Sequence, residues 1–188
     1  MSNENTAAIA HLESLRADVR EEIKKRIEQR DKYSIQLTIA LAAIIGFSFA
    51  RGDQHRILIA APLVSIYFTM LIMYSYQVHK LLAEYLREAI EPALSDLCGT
   101  ALDLEWEHYY REHATPGIRR TFFIWALWVV TLFSMAFLFI EELGNRNFII
   151  ILIIASTVYL FASVWITKKA LVKDKKNVED QPRRKQRR

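Results

Sequence analysis

Four apolar blocks, Tyr33–Ala50, Ile57–Val78, Thr121–Ile140 and Phe148–Thr167, contain no Asp, Glu, Lys or Arg. Each is 18 to 22 residues long. A bilayer hydrocarbon core of about 30 Å needs about 20 helical residues, so each block is long enough to cross it. The expected fold class is therefore all-α, a polytopic membrane protein with four transmembrane helices. A signal-peptide reading of the first block fails on its flank. The 32 residues before it hold 7 acidic side chains, whereas a signal n-region is short and basic.

Basic residues set the expected orientation. Of the 25 Lys and Arg, 22 lie in the N-terminal segment, the segment between blocks two and three, and the C-terminal tail. The two tight turns hold the other three. By the positive-inside rule both termini and the central segment face the cytoplasm, giving a multi-pass protein of the inner membrane. Tyr33, Tyr74, Tyr76, Trp125, Trp128 and Trp165 cluster at the same expected interface. The chain then divides into a cytoplasmic amphipathic helix (1–32), a first transmembrane hairpin (33–78), a cytoplasmic helical segment (79–120), a second hairpin (121–167) and a basic tail (168–188).

No Gly or Pro interrupts Thr6 to Ile45, and Ile9, Leu12, Leu15, Val19, Ile23 and Ile27 recur at helical spacing. One helix should run from the N-terminal segment into the first span. The second span should likewise continue past the membrane, with Leu81, Leu82, Tyr85, Leu86, Ala89 and Ile90 as its apolar face. The two stripes would meet as a cytoplasmic helical stalk. Pro92 is expected to end or bend that helix, and Leu94, Leu97, Cys98, Ala101 and Leu102 to start another. Thr115-Pro116-Gly117 reads as a turn. The tail after Val172 is charged and without apolar periodicity, and is expected to be disordered in isolation. Ile-rich span four is expected to be the most lipid-exposed. Cys98 is the single cysteine, which excludes an intramolecular disulfide.

Small residues recur every fourth position in the first span (Thr38, Ala42, Gly46, Ala50) and in the second (Ala61, Ser65, Thr69). Such spacing lets helices approach closely in lipid. It is open to two readings: spans one and two packed tightly together, or a polar-small wall of an oligomeric pore with Gln36 and Gln77 at its inner mouth. No ionisable residue lies within a span, which argues against ion-coupled transport. A passive pore with apolar gates stays open.

Glu105 and His108 have a Glu-x-x-His spacing, but di-metal bundles need that motif twice, and Glu105–His113 reads as a solvated interfacial helix. There is no phosphate-binding Gly loop, His-Glu-x-x-His or Gly-x-Ser-x-Gly. Neither an enzyme, a metal site nor a cofactor is expected. Arg51-Gly52-Asp53 is a chance triplet in a turn. Arg16, Arg20 and Lys24 form a basic ridge among acidic neighbours, either an ion-paired surface or, repeated around an oligomer, a cradle for a polyanion. Arg119, Arg120, Lys168, Lys169 and the tail suit anionic headgroups or nucleic acid phosphates.

A charged cytoplasmic helix flowing into a short-turned hairpin (Leu12–Ala50, then Ile57–Ile90) resembles the small membrane effectors of bacterial anti-phage defence. With four spans and basic cytoplasmic surfaces, the layout is similar to the membrane component of Hailong-type systems. That resemblance is architectural and covers the chain up to Val172. It implies a homo-oligomer in the lipid bilayer, held closed by a DNA oligomer or nucleotide from a partner nucleotidyltransferase, whose loss opens a depolarising pore. The rival expectation is a non-conducting scaffold that recruits a cytoplasmic partner through its stalk and tail.

Overall fold

The computed structural model describes residues 3–50, 54–101 and 118–185, with side chains described for 5–50, 54–101 and 121–170. All regular structure among them is helical: α1 (Asn3–Ala50), a 3-10 turn (His55–Ile59), α2 (Ala60–Tyr85), a π-turn (Leu86–Ile90), α3 (Glu91–Cys98), α4 (Ile118–Glu141) and α5 (Arg146–Lys185). Four helices are long and apolar enough to cross a membrane. The residues divide into two compact units.

The first unit contains α1 up to Tyr33 and the helical path from Tyr74 to Cys98. Along α1, pairs one turn apart support the helix: Glu13 with Arg16 at 3.3 Å, Glu21 with Lys25 at 2.9 Å and Lys24 with Glu28 at 3.9 Å. Exposed pairs of this kind contribute a few tenths of a kcal/mol each. Burial contributes more. Leu86, Ile90 and Leu94 form a buried core against Ile9, Leu12, Leu15, Val19 and Ile23 of α1, each fully buried apolar side chain stabilising by roughly 2 kcal/mol. The α1 stripe is the one its periodicity predicts. Its partner face is so in part: Leu86 and Ile90 are buried as expected, whereas Leu81, Tyr85 and Ala89 are exposed and Leu94 joins the core.

Pro92 neither ends the helix nor turns it away. Proline lacks an N–H, and its ring collides with the carbonyl four residues back, here Glu88. The π-turn lies immediately before it, and Glu91 N–H reaches the Leu86 carbonyl five residues back. This widened turn carries the path into α3. The helix ends instead at Gly99, whose φ of 65° is the left-handed conformation of a helix C-cap. Thr100 N–H donates to the Ser95 carbonyl at 3.2 Å, and Ser95 Oγ donates back to the Thr100 carbonyl. Ala101 is therefore not helical, and the short helix that includes Leu94 and Leu97 stops at Cys98, while Leu102 lies outside the described residues. A side chain at φ near +60° costs roughly 1 to 2 kcal/mol. Gly99→Ala should therefore destabilise this unit by about 1 kcal/mol, read as earlier urea unfolding followed by circular dichroism.

The second unit contains Ser34–Ala50 of α1, the 3-10 turn, α2 up to Met73, α4 and α5. Pro62 falls in the first turn of α2, where a missing N–H costs nothing. One core joins Leu58, Met135, Leu138 and Leu152, with Ile44, Phe137 and Phe148 against it. A second joins Ile66, Leu127 and Ile166. Asn145 caps α5, its Oδ1 accepting from Phe148 N–H at 3.3 Å. Two expectations are corrected here. The backbone of α5 is helical through Lys185, because the tail up to Gln181 has no Gly or Pro and is rich in helix formers. Span four is also not the least covered: 17% of its apolar window is buried, against 11% for the first span. The first span packs through one narrow face, Leu37, Ile44 and Ser48.

Candidate functional site

That narrow face decides where the small residues of α1 lie. Thr38, Ala42, Gly46 and Ala50 are all exposed, as is Gln36. A Cβ built at Gly46 meets nothing within 4 Å. The stripe is thus not packed against the second span, and the intramolecular-packing reading of it is corrected. Its hydroxyl needs no external partner, since Thr38 Oγ1 donates to the Ser34 carbonyl at 3.0 Å. Exposed Ile35, Ile39, Phe47 and Phe49 flank it. This is a long apolar surface with a shallow groove of small residues along it.

The small residues of α2 have the opposite fate. Ala61, Ser65 and Thr69 are buried, in the unit whose interior also holds Thr131, Ser134 and Ser163. Gln77 belongs to the other unit and is exposed. Some of the interior polar groups are satisfied. Trp128 Nε1 donates to Thr167 Oγ1 at 3.0 Å, Thr167 Oγ1 donates to the Ser163 carbonyl at 2.8 Å, and Tyr159 OH donates to the Ile59 carbonyl at 3.1 Å. The hydroxyls of Thr69, Thr131 and Ser163 have no hydrogen-bond partner among the described residues. Of the two small-residue stripes, only that of α1 is on the surface of the chain.

The turns between apolar helices hold a group that no sequence motif announces. Glu142 is 4% exposed and accepts hydrogen bonds from Arg56 Nε and, at 3.0 Å, from Arg56 Nη2. His55 Nε2 lies 2.9 Å from the same carboxylate. The turns themselves aim these groups. Ile57 N–H donates to the Gln54 carbonyl, opening the 3-10 turn that carries His55 and Arg56. Glu142 N–H donates to Leu138 and Asn145 N–H to Glu142, closing the turn that carries the acid. Arg56 also lies over the Phe148 ring at 4.9 Å. The Arg56 hydrogen bonds, followed by that of His55, hold the Glu142 carboxyl below the ordinary glutamate range. The group clasps the ends of the two hairpins. In sequence its members are visible only as turn charges, and nothing local pairs them.

The basic residues are dispersed. Arg16 is paired with Glu13 and Lys24 with Glu28, while Arg20 is exposed and makes no ion pair among the described residues. Lys168 and Lys169 are exposed, with Lys169 Nζ 4.1 Å from the Trp165 ring centre, an aromatic-cation pair suited to an interface. Arg119 and Arg120 belong to the first turn of α4, but their side chains lie outside the described residues, as do Glu105–His113, Thr115-Pro116-Gly117 and Arg51-Gly52-Asp53. No family model, no curated protein and no solved structure matches this chain.

Proposed function

We propose that this chain inserts into the inner membrane through its four apolar helices, both termini cytoplasmic, and assembles as an oligomeric effector. Its ligand-gated ion pore depolarises the cell, in the manner of an anti-phage membrane effector. The observation that carries this reading is the exposed small-residue stripe of α1, with open space at Gly46. In lipid, water exclusion gives no reason for one helix to seek another, so close backbone approach at small residues is the main source of association. A stripe left uncovered by its own chain is positioned for another copy.

Gating follows from continuity. The 48 residues of α1 run unbroken, about 70 Å at 1.5 Å per residue, so a twist of its N-terminal half reaches the stripe without a joint. The gating ligand is an anion such as a DNA oligomer or nucleotide, met by Arg16, Arg20 and Lys24 repeated around the oligomer axis. The test is membrane potential, followed with a voltage-sensitive dye in bacteria expressing the chain alone. Depolarisation is expected, and a Gly-Pro insertion at Tyr33 should leave a leak that no longer responds to a cytoplasmic ligand. Unchanged gating after that insertion would remove the lever.

A scaffold is the second reading, favoured by the ion pairs that already engage Arg16 and Lys24. Truncation after Val172 separates the two. A scaffold recruiting through its tail loses function, whereas a pore keeps its conductance.

A further inference from the structure

The first unit buries a cation that its packing does not explain. Arg30 of α1 is 8% exposed, and its guanidinium makes no hydrogen bond among the described residues. The one carboxylate within ion-pair range is that of its neighbour Asp31, 3.7 Å from Nε and itself exposed. On the other side the guanidinium lies 4.5 Å above the ring centre of Tyr76 in α2. One turn along α2, burial and then the Arg30 charge hold the His79 imidazole below its ordinary range. The Tyr76 hydroxyl and His79 Nδ1 are both buried without a hydrogen-bond partner among the described residues. The surrounding polar groups are already occupied: Arg26 bonds Gln29 at 3.1 Å, Gln29 bonds Tyr33 at 2.7 Å, and Ser75 Oγ bonds the Arg26 carbonyl at 2.8 Å. That last bond pins α2 to α1 beside the cluster.

Buried donors without acceptors are costly, and native proteins leave few of them. Here a positive charge, whose one carboxylate neighbour is too far for a hydrogen bond, sits beside two buried groups without hydrogen-bond partners among the described residues. We propose that Arg30, Tyr76 and His79 form a binding site for one phosphodiester oxyanion, that of a phospholipid headgroup. One positive charge suits a singly charged diester better than a doubly charged monoester, and a guanidinium matches the geometry of phosphate oxygens. The position fits a lipid rather than a dissolved anion. Arg30 lies three residues before Tyr33, where the first apolar block begins, and Tyr76 and His79 flank Val78, where the second ends. Headgroup phosphates lie at that depth. The bound phosphate would tie α1 to α2 at the point where the N-terminal half of α1 gives way to its span.

The proposal rests on the membrane reading and is tested on the full chain purified in dodecyl maltoside. Native mass spectrometry should show retained phospholipid on the wild type and none on Arg30→Gln. Dioctanoyl-phosphatidylglycerol should raise the wild-type melting temperature, with about tenfold weaker affinity for Arg30→Gln, as expected for a lost charge-assisted hydrogen bond, and a severalfold loss for Tyr76→Phe. Lys25→Gln, at an exposed residue paired with Glu21, should bind as the wild type does. Dimethyl phosphate, a diester without acyl chains, should not stabilise at the same concentration. Equal stabilisation by dimethyl phosphate would overturn the lipid assignment, and wild-type affinity in Arg30→Gln would overturn the site. If Arg30→Gln does not fold, Tyr76→Phe decides, and unchanged affinity in it counts against the site. Recovery of the wild-type chain without detergent would instead overturn the membrane reading itself.

Discussion

Replacing Gly46 with tryptophan is expected to abolish depolarisation by the expressed chain while leaving its helices folded. The two halves of that result come from different observations. The fold should survive because Gly46 is exposed and lies mid-helix in α1, where an added Cβ would meet no atom within 4 Å. Tryptophan there also gains about a few tenths of a kcal/mol of helix propensity over glycine. Function should fail because an indole at the centre of the stripe holds a neighbouring helix away from Thr38, Ala42 and Ala50. Dispersion contacts fall off steeply with separation, and in lipid no water exclusion compensates for their loss. Association should weaken at least about tenfold, seen as loss of crosslinked oligomers, with unchanged circular dichroism. Gly46→Ala should retain most activity. Full depolarisation by Gly46→Trp would mean that copies meet through some other face.

The four long apolar helices are legible in sequence because length and the absence of charge suffice to find a helix able to cross a membrane. The stripe from Ile9 to Ile23 is legible for the opposite reason. Water on one side of a helix enforces periodicity, and that face is packed as its spacing requires. Its partner face is legible only in part: Leu86 and Ile90 are buried as their spacing requires and the row continues at the same four-residue interval to Leu94, whereas Leu81, Tyr85 and Ala89 are exposed.

The small-residue stripes mark the limit of hydropathy in apolar helices. Both stripes read alike in sequence, yet Ser65 and Thr69 are interior and Thr38 and Gly46 are on the surface. Periodicity separates an apolar face from a polar one, and it is silent on a helix that is apolar all round. Long-range polar pairing is illegible too. Arg56 and Glu142 are 86 residues apart, and each looks like one more charge in a turn. Arg30 is equally inconspicuous, a single basic residue in a segment already rich in them.

The Glu142 clasp gives the other large effect, and its sign with pH can be worked out. Glu142→Gln keeps the size of the side chain but removes the charge that two hydrogen bonds from Arg56 and one contact from His55 address. Arg56 then lacks its counterion while still lying over Phe148. Arg56 is half exposed, so water takes up its orphaned charge and the loss is that of the charge-assisted hydrogen bonds to the carboxylate. The melting temperature in detergent should fall by roughly 5 °C, and Arg56→Gln in the same background should add little, since the partner is already gone. The folded carboxyl is held below its ordinary value of 4.5, chiefly by Arg56. Its contribution is therefore complete above that value and is lost as pH falls through the lowered folded pKa, where protonation of the native state begins. Wild-type melting temperature should thus drop more steeply than that of Glu142→Gln as pH falls from the ordinary glutamate value of 4.5 through the lowered folded pKa. Parallel curves would show that the carboxylate gains nothing from the clasp. Convergence of the two at low pH would show that the hairpin ends are held by one ionised carboxylate, and that protonating it weakens the hold.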